Sequence, residues 1–388
     1  MRTVGYAYPW DVLDAPGFVD RARDLGVDEV AVAVSYHSAR AATPWSPTGT
    51  SVLARHAALY RPVREEAWHG ATLRPAAPDW VASPDSAGDA VRVLNAAGVP
   101  AAAWIVLTHD SRLGTRFPQY AVRNCFGESY PWALCPSQPE VQAYAATLTA
   151  VSLAGLDVAS VVLEACGQLG AVHQHQHEKT DGVWSPAVAR LLSVCCCTAC
   201  ADGWTASGAV AEDIRGALRS EVRRLVDSAD LSATEDELPD GIRTTVLETR
   251  QRGTDRLRRG VLAAIEPGTR VVLHGSPDPW ATGALPGLTP AAADDVDAVV
   301  LQNWQPGPAS ADAVAQARQR LPSRVDVGSY LTAVAANPVP DMRGYVTELA
   351  EAGATELHLY HLGLAGPGRL PDLRAATEAA HAFPRKDS

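Results

Sequence analysis

No stretch of the 388 residues reaches the roughly 20 consecutive apolar positions that a membrane-crossing helix needs. Basic residues are also in deficit. The formal net charge is −11, which argues against the basic stripe of a nucleic-acid-binding surface. The opening MRTVGYAYPWDVL has no apolar core followed by a small-residue cleavage site, so it reads as a first strand and a cytoplasmic location is expected. No G-x-G-x-x-G follows that strand, and the dinucleotide-binding form of an open α/β sheet therefore lacks its main marker. No linker cuts the chain either, so residues 1–388 are expected to form one domain.

What remains is the composition of an ordinary globular protein, 47% hydrophobic and 20% charged, in a chain long enough to bury a large core. Four segments share one pattern: RARDLGVDEVAVAVS, VRVLNAAGVPAAAWIVL, VSLAGLDVASVVLE and ELAEAGATELHLYHL. Each is an Ala/Leu-rich helical end, a glycine, a short spacer and an unbroken apolar run. Glycine just past a helix supplies the left-handed cap, because it has no Cβ to penalise positive φ. Apolar runs without alternation are those of parallel strands covered on both faces. Counting them gives eight strands, near 3–8, 29–36, 101–108, 160–166, 270–274, 298–303, 324–330 and 356–362. Eight strands alternating with helices predict an α/β protein, a (β/α)8 TIM barrel, with a doubly wound sheet as the rival. Residues 38–99 and 167–269 are too long for plain helical returns. They predict excursions after strands 2 and 4, at the face where barrel enzymes build their sites. The first excursion suggests extra strands at HAALYRP and WHGATLRP and a helix near 87–97. The second carries histidine and cysteine clusters and two or three helices.

The predicted strand ends are YAYPWD, SYHSAR, LTHDSR, LEACG, LHGSPDPW, LQNWQPG, GSYL and LYHLG. Aromatic faces pack on sugar rings, while amides, imidazoles and carboxylates hydrogen-bond hydroxyls. This set therefore predicts a carbohydrate-binding lining, with Tyr8, Trp10, His37, His109, Gln302, Asn303, Trp304, Tyr330, Tyr360 and His361 as candidates. Glu164 ends the buried run SVVL, where a partly desolvated carboxyl acquires the raised pKa of a general acid. A structural glutamate tied to an arginine is the alternative. A glycosidase needs a second carboxylate, for which Asp110 and Asp278 are the first candidates and Asp11 and Glu178 the next.

The run RNCFGESYPWALCPSQPEVQAY, the strand ending in Glu164, then HQHQHEK and LLSVCCCTAC together resemble hypothetical glycosyl hydrolase families built on a TIM barrel. The resemblance covers about residues 1–205. It implies a glycoside-hydrolase-like activity on a small-molecule or oligosaccharide substrate, without an organic cofactor. One departure stands out. Familiar glycosidase barrels place a nucleophilic glutamate at the end of strand 7, whereas this chain reads VDVGSYL there, with Asp326 earlier in the strand. An inverting or atypical mechanism, or loss of catalysis, is the consequence.

Cys195, Cys197 and Cys200 form C-x-C-x-x-C, three thiolates that need one more ligand to close a tetrahedral zinc site. Cys196, Cys166 or a histidine could supply it; free packed thiols or a disulfide are the alternatives. A structural zinc stapling the excursion is the expected use. His173, His175 and His177 alternate and would share one face of an extended segment. They support a metal-dependent TIM-barrel hydrolase or isomerase as the second reading. Their place just past Glu164 favours a roof over the pocket, with His177 and Glu178 as substrate contacts. A non-catalytic carbohydrate-binding barrel is the third reading.

Overall fold

The computed structural model describes residues 1–172, 179–180, 182–336 and 338–385. The eight apolar runs are the strands β1 (Arg2–Ala7), β2 (Glu29–Tyr36), β3 (Ala101–Val106), β4 (Ser160–Glu164), β5 (Arg270–His274), β6 (Ala298–Gln302), β7 (Asp326–Thr332) and β8 (Glu356–Tyr360). Neighbours pair in parallel in sequence order, and β1 pairs with both β2 and β8, which closes the ring. This is a (β/α)8 TIM barrel with surrounding helices. The strands explain their own lack of alternation. Every residue of β2, β3 and β4 is buried, because the lumen fills one face and helices cover the other. At the four recurring joints Gly26, Gly98, Gly155 and Gly353 have φ of 70°, 72°, 67° and 113°, as the left-handed cap requires.

Aromatic rings fill the lumen. Tyr6 lies 4.9 Å from Trp104, edge to face, and 4.7 Å from Tyr330. Below them, at the N-terminal end of the strands, lies a layer of ion pairs. Arg2 and the Ser160 hydroxyl both donate to Glu29, and Arg270 bridges Asp326 and Glu356 at 2.8 and 2.7 Å. Charged groups there seal the base of the barrel.

The excursion after β2 holds a hairpin of Ala39–Ala42 with Ser51–Ala54, the short strand Ala58–Leu59 paired antiparallel to β2, and the helix Ser86–Ala96. HAALYRP thus contributes a strand. WHGATLRP does not: Trp68 ends a single 3-10 turn, and the positive φ of Gly70 breaks any extended run. The excursion after β4 carries four helices among the described residues, Pro186–Leu192, Thr198–Ala206, Ala211–Asp227 and Asp240–Leu262.

Candidate active site

Strand ends converge on a cavity of about 320 Å³ at the C-terminal face of the barrel, lined among others by Tyr36, Glu164, Trp304, Tyr330 and Tyr360. Glu164 is the last residue of β4 and is buried. The Trp104 indole donates to its Oε2 at 2.9 Å, and His274 Nδ1 lies 3.4 Å from the same oxygen. The next residue, Ala165, has φ of 52°, a left-handed backbone that side chains disfavour by about 1–2 kcal/mol. It turns the chain away directly after the carboxyl. The Ala165 amide donates to the Ala284 carbonyl at 2.8 Å, which brings Thr282–Leu285 of the loop after β5 over the cavity.

Of the candidates drawn from the strand ends, His37, Gln302, Trp304, Tyr330 and Tyr360 line this cavity with Glu164. Trp304 and Tyr360 face each other at 5.3 Å, and Tyr330 meets Tyr360 edge to face at 5.6 Å. The Tyr330 hydroxyl is buried with no hydrogen-bond partner among the described residues. His109 stacks behind His37 at 4.4 Å. Tyr8 is packed between Trp10, Tyr36 and His361 and supports the lining from beneath. Asn303 is buried, donates to the Ser310 carbonyl and anchors the loop after β6. His361 is also buried, and burial holds its imidazole down at about 3. Its Nδ1 accepts the Gly363 amide.

The candidate second carboxylates lie elsewhere. Asp110 caps the helix Ser111–Arg116, accepting the Leu113 amide at 2.9 Å, in a closed crevice beside Tyr144. Burial pushes its carboxyl up to about 6. Asp278 is exposed and accepts the Trp280 amide in a turn after β5. Asp11, pushed up by burial to about 7, accepts the Tyr8 amide and lines a side cleft with Trp10 and Trp45. Asp326 belongs to the ion-pair layer at the base. Glu164 is therefore the one carboxylate among the described residues that line the central cavity. His173, His175, His177 and Glu178 lie outside the described residues.

The cysteine cluster gains a member that spacing could not supply. Cys135, at the end of the strand Ser129–Leu134, joins Cys195, Cys197 and Cys200, with all four sulfurs within 4.8 Å of one another. Cys135 Sγ lies 3.7 Å from both Cys197 and Cys200. A tetrahedron with metal–sulfur bonds of about 2.3 Å has edges of about 3.8 Å, so the quartet fits a zinc ion. Cys196 and Cys166, the fourth ligands considered from sequence, stand outside the group. Hydrogen bonds from Cys135, Cys195 and Cys200 draw the Cys197 thiol well below its ordinary range, while the same sharing of protons raises Cys135 and Cys200. The buried Arg250 guanidinium lies near these sulfurs and donates to the Ser193 and Trp280 carbonyls, joining the cluster to the loop after β5.

Residues that strand-end reasoning missed include Tyr36, Trp104 and His274. Two of them were in view, since Tyr36 and His274 end β2 and β5 as they were read. Trp104 sits inside β3, where nothing in the sequence separates a core indole from a carboxylate's partner.

No protein-family model matches the chain, and no curated protein matches it. Solved structures do. The glycoside hydrolase domain of PgaB (BpsB) from Bordetella bronchiseptica has a TM-score of 0.60 at 14% identity, covering 97% of this chain and 99% of that one. The catalytic domain of a Paenibacillus polymyxa β-amylase has 0.57 at 12%, covering 99% of both chains. An α-L-fucosidase from Paenibacillus thiaminolyticus has 0.57 at 13%, covering 98% of this chain, which spans about half (49%) of the fucosidase. The likeness is one of fold. All three are glycoside hydrolases, and the barrel is the architecture this chain shares with them.

Proposed function

We propose that the chain is a glycoside hydrolase acting on a carbohydrate or glycoside, with Glu164 as its general acid. The observation that supports this reading is a buried carboxyl ending β4 in a cavity walled by Trp304, Tyr330 and Tyr360. Aromatic walls suit the apolar faces of a sugar ring, and a carboxyl among them suits protonation of the leaving oxygen. β7 contributes Tyr330 and no carboxylate to the described lining, so the usual paired-carboxylate retaining mechanism is not built from β4 and β7. An inverting or atypical route follows. Its test is a screen of nitrophenyl glycosides and oligosaccharides with the wild type and Glu164→Gln. The variant should lose about 10²–10⁴-fold in turnover while keeping its circular dichroism. Full turnover by Glu164→Gln on any substrate the wild type cleaves would sink the assignment.

The single carboxylate among the described lining residues favours one second reading, a barrel that binds carbohydrate without cleaving it. Sugar binding by calorimetry with no turnover across the screen would select it. We further propose that Cys135, Cys195, Cys197 and Cys200 hold a structural zinc. The ion would complete the four-thiolate shell and tie the loop before the helix Pro139–Leu153 to the helical excursion. It has no part in the chemistry at Glu164.

A further inference from the structure

A row of buried polar groups runs down the lumen from Glu164 to the base of the barrel. His274 Nδ1 is 3.4 Å from Glu164 Oε2, and His274 Nε2 is 2.8 Å from the Tyr6 hydroxyl. The same hydroxyl is 3.0 Å from His358 Nδ1, and His358 Nε2 is 3.2 Å from Glu356 Oε2. Tyr6, His274 and His358 are each 0% exposed, so water cannot complete their bonding. His274 Nδ1 is moreover a buried nitrogen with no hydrogen-bond partner among the described residues, although a carboxylate oxygen faces it.

Protons can be counted along this row. It has three hydrogen bonds and one 3.4 Å approach, of His274 Nδ1 to Glu164 Oε2, and a proton in each of the four would link the row from end to end. Two neutral imidazoles and one phenol bring three. A carboxylate brings none, so the row is complete only with one more proton. The base of the barrel decides where that proton sits. Burial raises the Glu356 carboxyl, but the His358 hydrogen bond, the His358 charge and the Arg270 guanidinium, which donates to it at 2.7 Å, together hold it below its ordinary range. Glu356 is then an acceptor, and His358 must present Nε2–H to it. Burial disfavours the charged form of His358, so its Nδ1 is bare and accepts the Tyr6 hydroxyl. Tyr6 can then only accept from His274 Nε2–H. That leaves His274 Nδ1 bare against Glu164, a contact that repels unless the extra proton lies in it.

We propose that the Glu164–His274 pair holds one extra proton, and that Tyr6, His358 and Glu356 act as positioning residues that keep it there. The pair is either a carboxylic acid facing an imidazole or a carboxylate facing an imidazolium. In both forms a proton stands at the cavity, ready for a leaving group. The inference deepens the general-acid reading of Glu164 and rests on it for its use, though not for its chemistry. Among the described residues, the titratable groups around the pair are Tyr6 on β1, Tyr36 on β2 with His37 just past it, Tyr330 on β7, and His358 and Tyr360 on β8. Trp104 on β3 adds a donor with no proton to lose. Burial keeps the four phenols protonated, so none competes for the role of acid near neutrality.

The test needs no substrate. In protein labelled with ¹⁵N-histidine, nitrogen shifts and couplings report which ring nitrogens carry protons, with His274→Asn and His358→Asn used for assignment. Between pH 6 and 8 both His358 and His274 should carry Nε2–H, and His274 should do so alone or together with Nδ1–H. In Tyr6→Phe, which removes one hydroxyl, the His274 preference should vanish and the titration midpoint of the pair should move by about one pH unit, tenfold in proton affinity. His274 protonated at Nδ1 alone would overturn the proposal, because the fourth proton would then lie at Glu356. So would a midpoint unmoved in a folded Tyr6→Phe, as a merely structural hydroxyl would predict. The wild-type tautomers decide the matter even if that variant does not fold. A protein with these tautomers that cleaves no glycoside would keep the proton store and lose the hydrolase reading. Hydrolysis requiring Glu164, with the opposite tautomer, would do the reverse.

Discussion

Asp110 shows how a helix cap and a buried acid act on stability together. Its carboxylate satisfies an otherwise orphaned amide at the start of the helix, which favours the fold, while burial disfavours its charge. Its folded pKa of about 6 lies above the unfolded value, so the native state holds the proton more tightly. The stability this contributes is complete below the unfolded value near pH 4 and is lost as pH rises through about 6. Asp110→Asn keeps the capping oxygen and removes the titration. The wild type should therefore lose about 3 kcal/mol relative to Asp110→Asn between pH 4 and pH 7, read from urea midpoints. Equal pH dependence in the two proteins would show that the crevice admits water. Asp11, raised further, should act in the same direction over a wider span.

Segments between strands carry the other two expectations. The helix-to-strand joints depend on glycines whose φ is positive, and Gly98, at 72°, has no atom within 4 Å of where a Cβ would stand. Space is therefore not the obstacle to Gly98→Ala; backbone handedness is. The substitution should destabilise by about 1–2 kcal/mol, and Gly98→Asn by less, in denaturant titrations. The cysteine quartet joins the segment after β3 to the excursion after β4, 60 residues apart in sequence from Cys135 to Cys195. Elemental analysis should find about one zinc per chain, and Cys135→Ser should lose the metal and lower Tm by several degrees. Four thiols titrating in purified metal-free protein of unchanged Tm would refute the zinc.

Closure of the barrel depends on charges buried at its base. Arg270 reaches from β5 to Asp326 on β7 and Glu356 on β8, so a single guanidinium spans three strands through two carboxylates. Removing it leaves the buried Glu356 without its cation, and Arg270→Met should cost about 3–5 kcal/mol in urea-measured stability. The folded pKa of Glu356 is depressed, so its contribution is present above the ordinary carboxylate range and is lost as pH falls. Arg270→Met should narrow the acid-side difference in stability between pH 5 and pH 3. The prediction fails if the variant unfolds in acid along the wild-type curve.

The barrel was legible in the chain because its strands are local objects. An apolar run covered on both faces and a glycine that must turn left are written in consecutive residues, so each strand was placed within about two residues of where it lies. Glu164 was legible for the same reason, being the charge that ends such a run. Proximity across the barrel was not. Asp110, Asp278 and Asp11 lie past strand ends much as Glu164 lies at one, yet a helix cap, an exposed turn and a side cleft take them out of the central cavity. Cys135 was invisible as a fourth thiol, since 60 residues separate it from its partners. His274 stood in plain sight as a strand end, but its meaning comes from facing Glu164 on the neighbouring strand and Tyr6 across the lumen. Periodicity and turn chemistry act between neighbours along the chain and dictate which elements form. Burial, hydrogen bonding and the place of a proton act between neighbours in space, and only the closed barrel makes those neighbours.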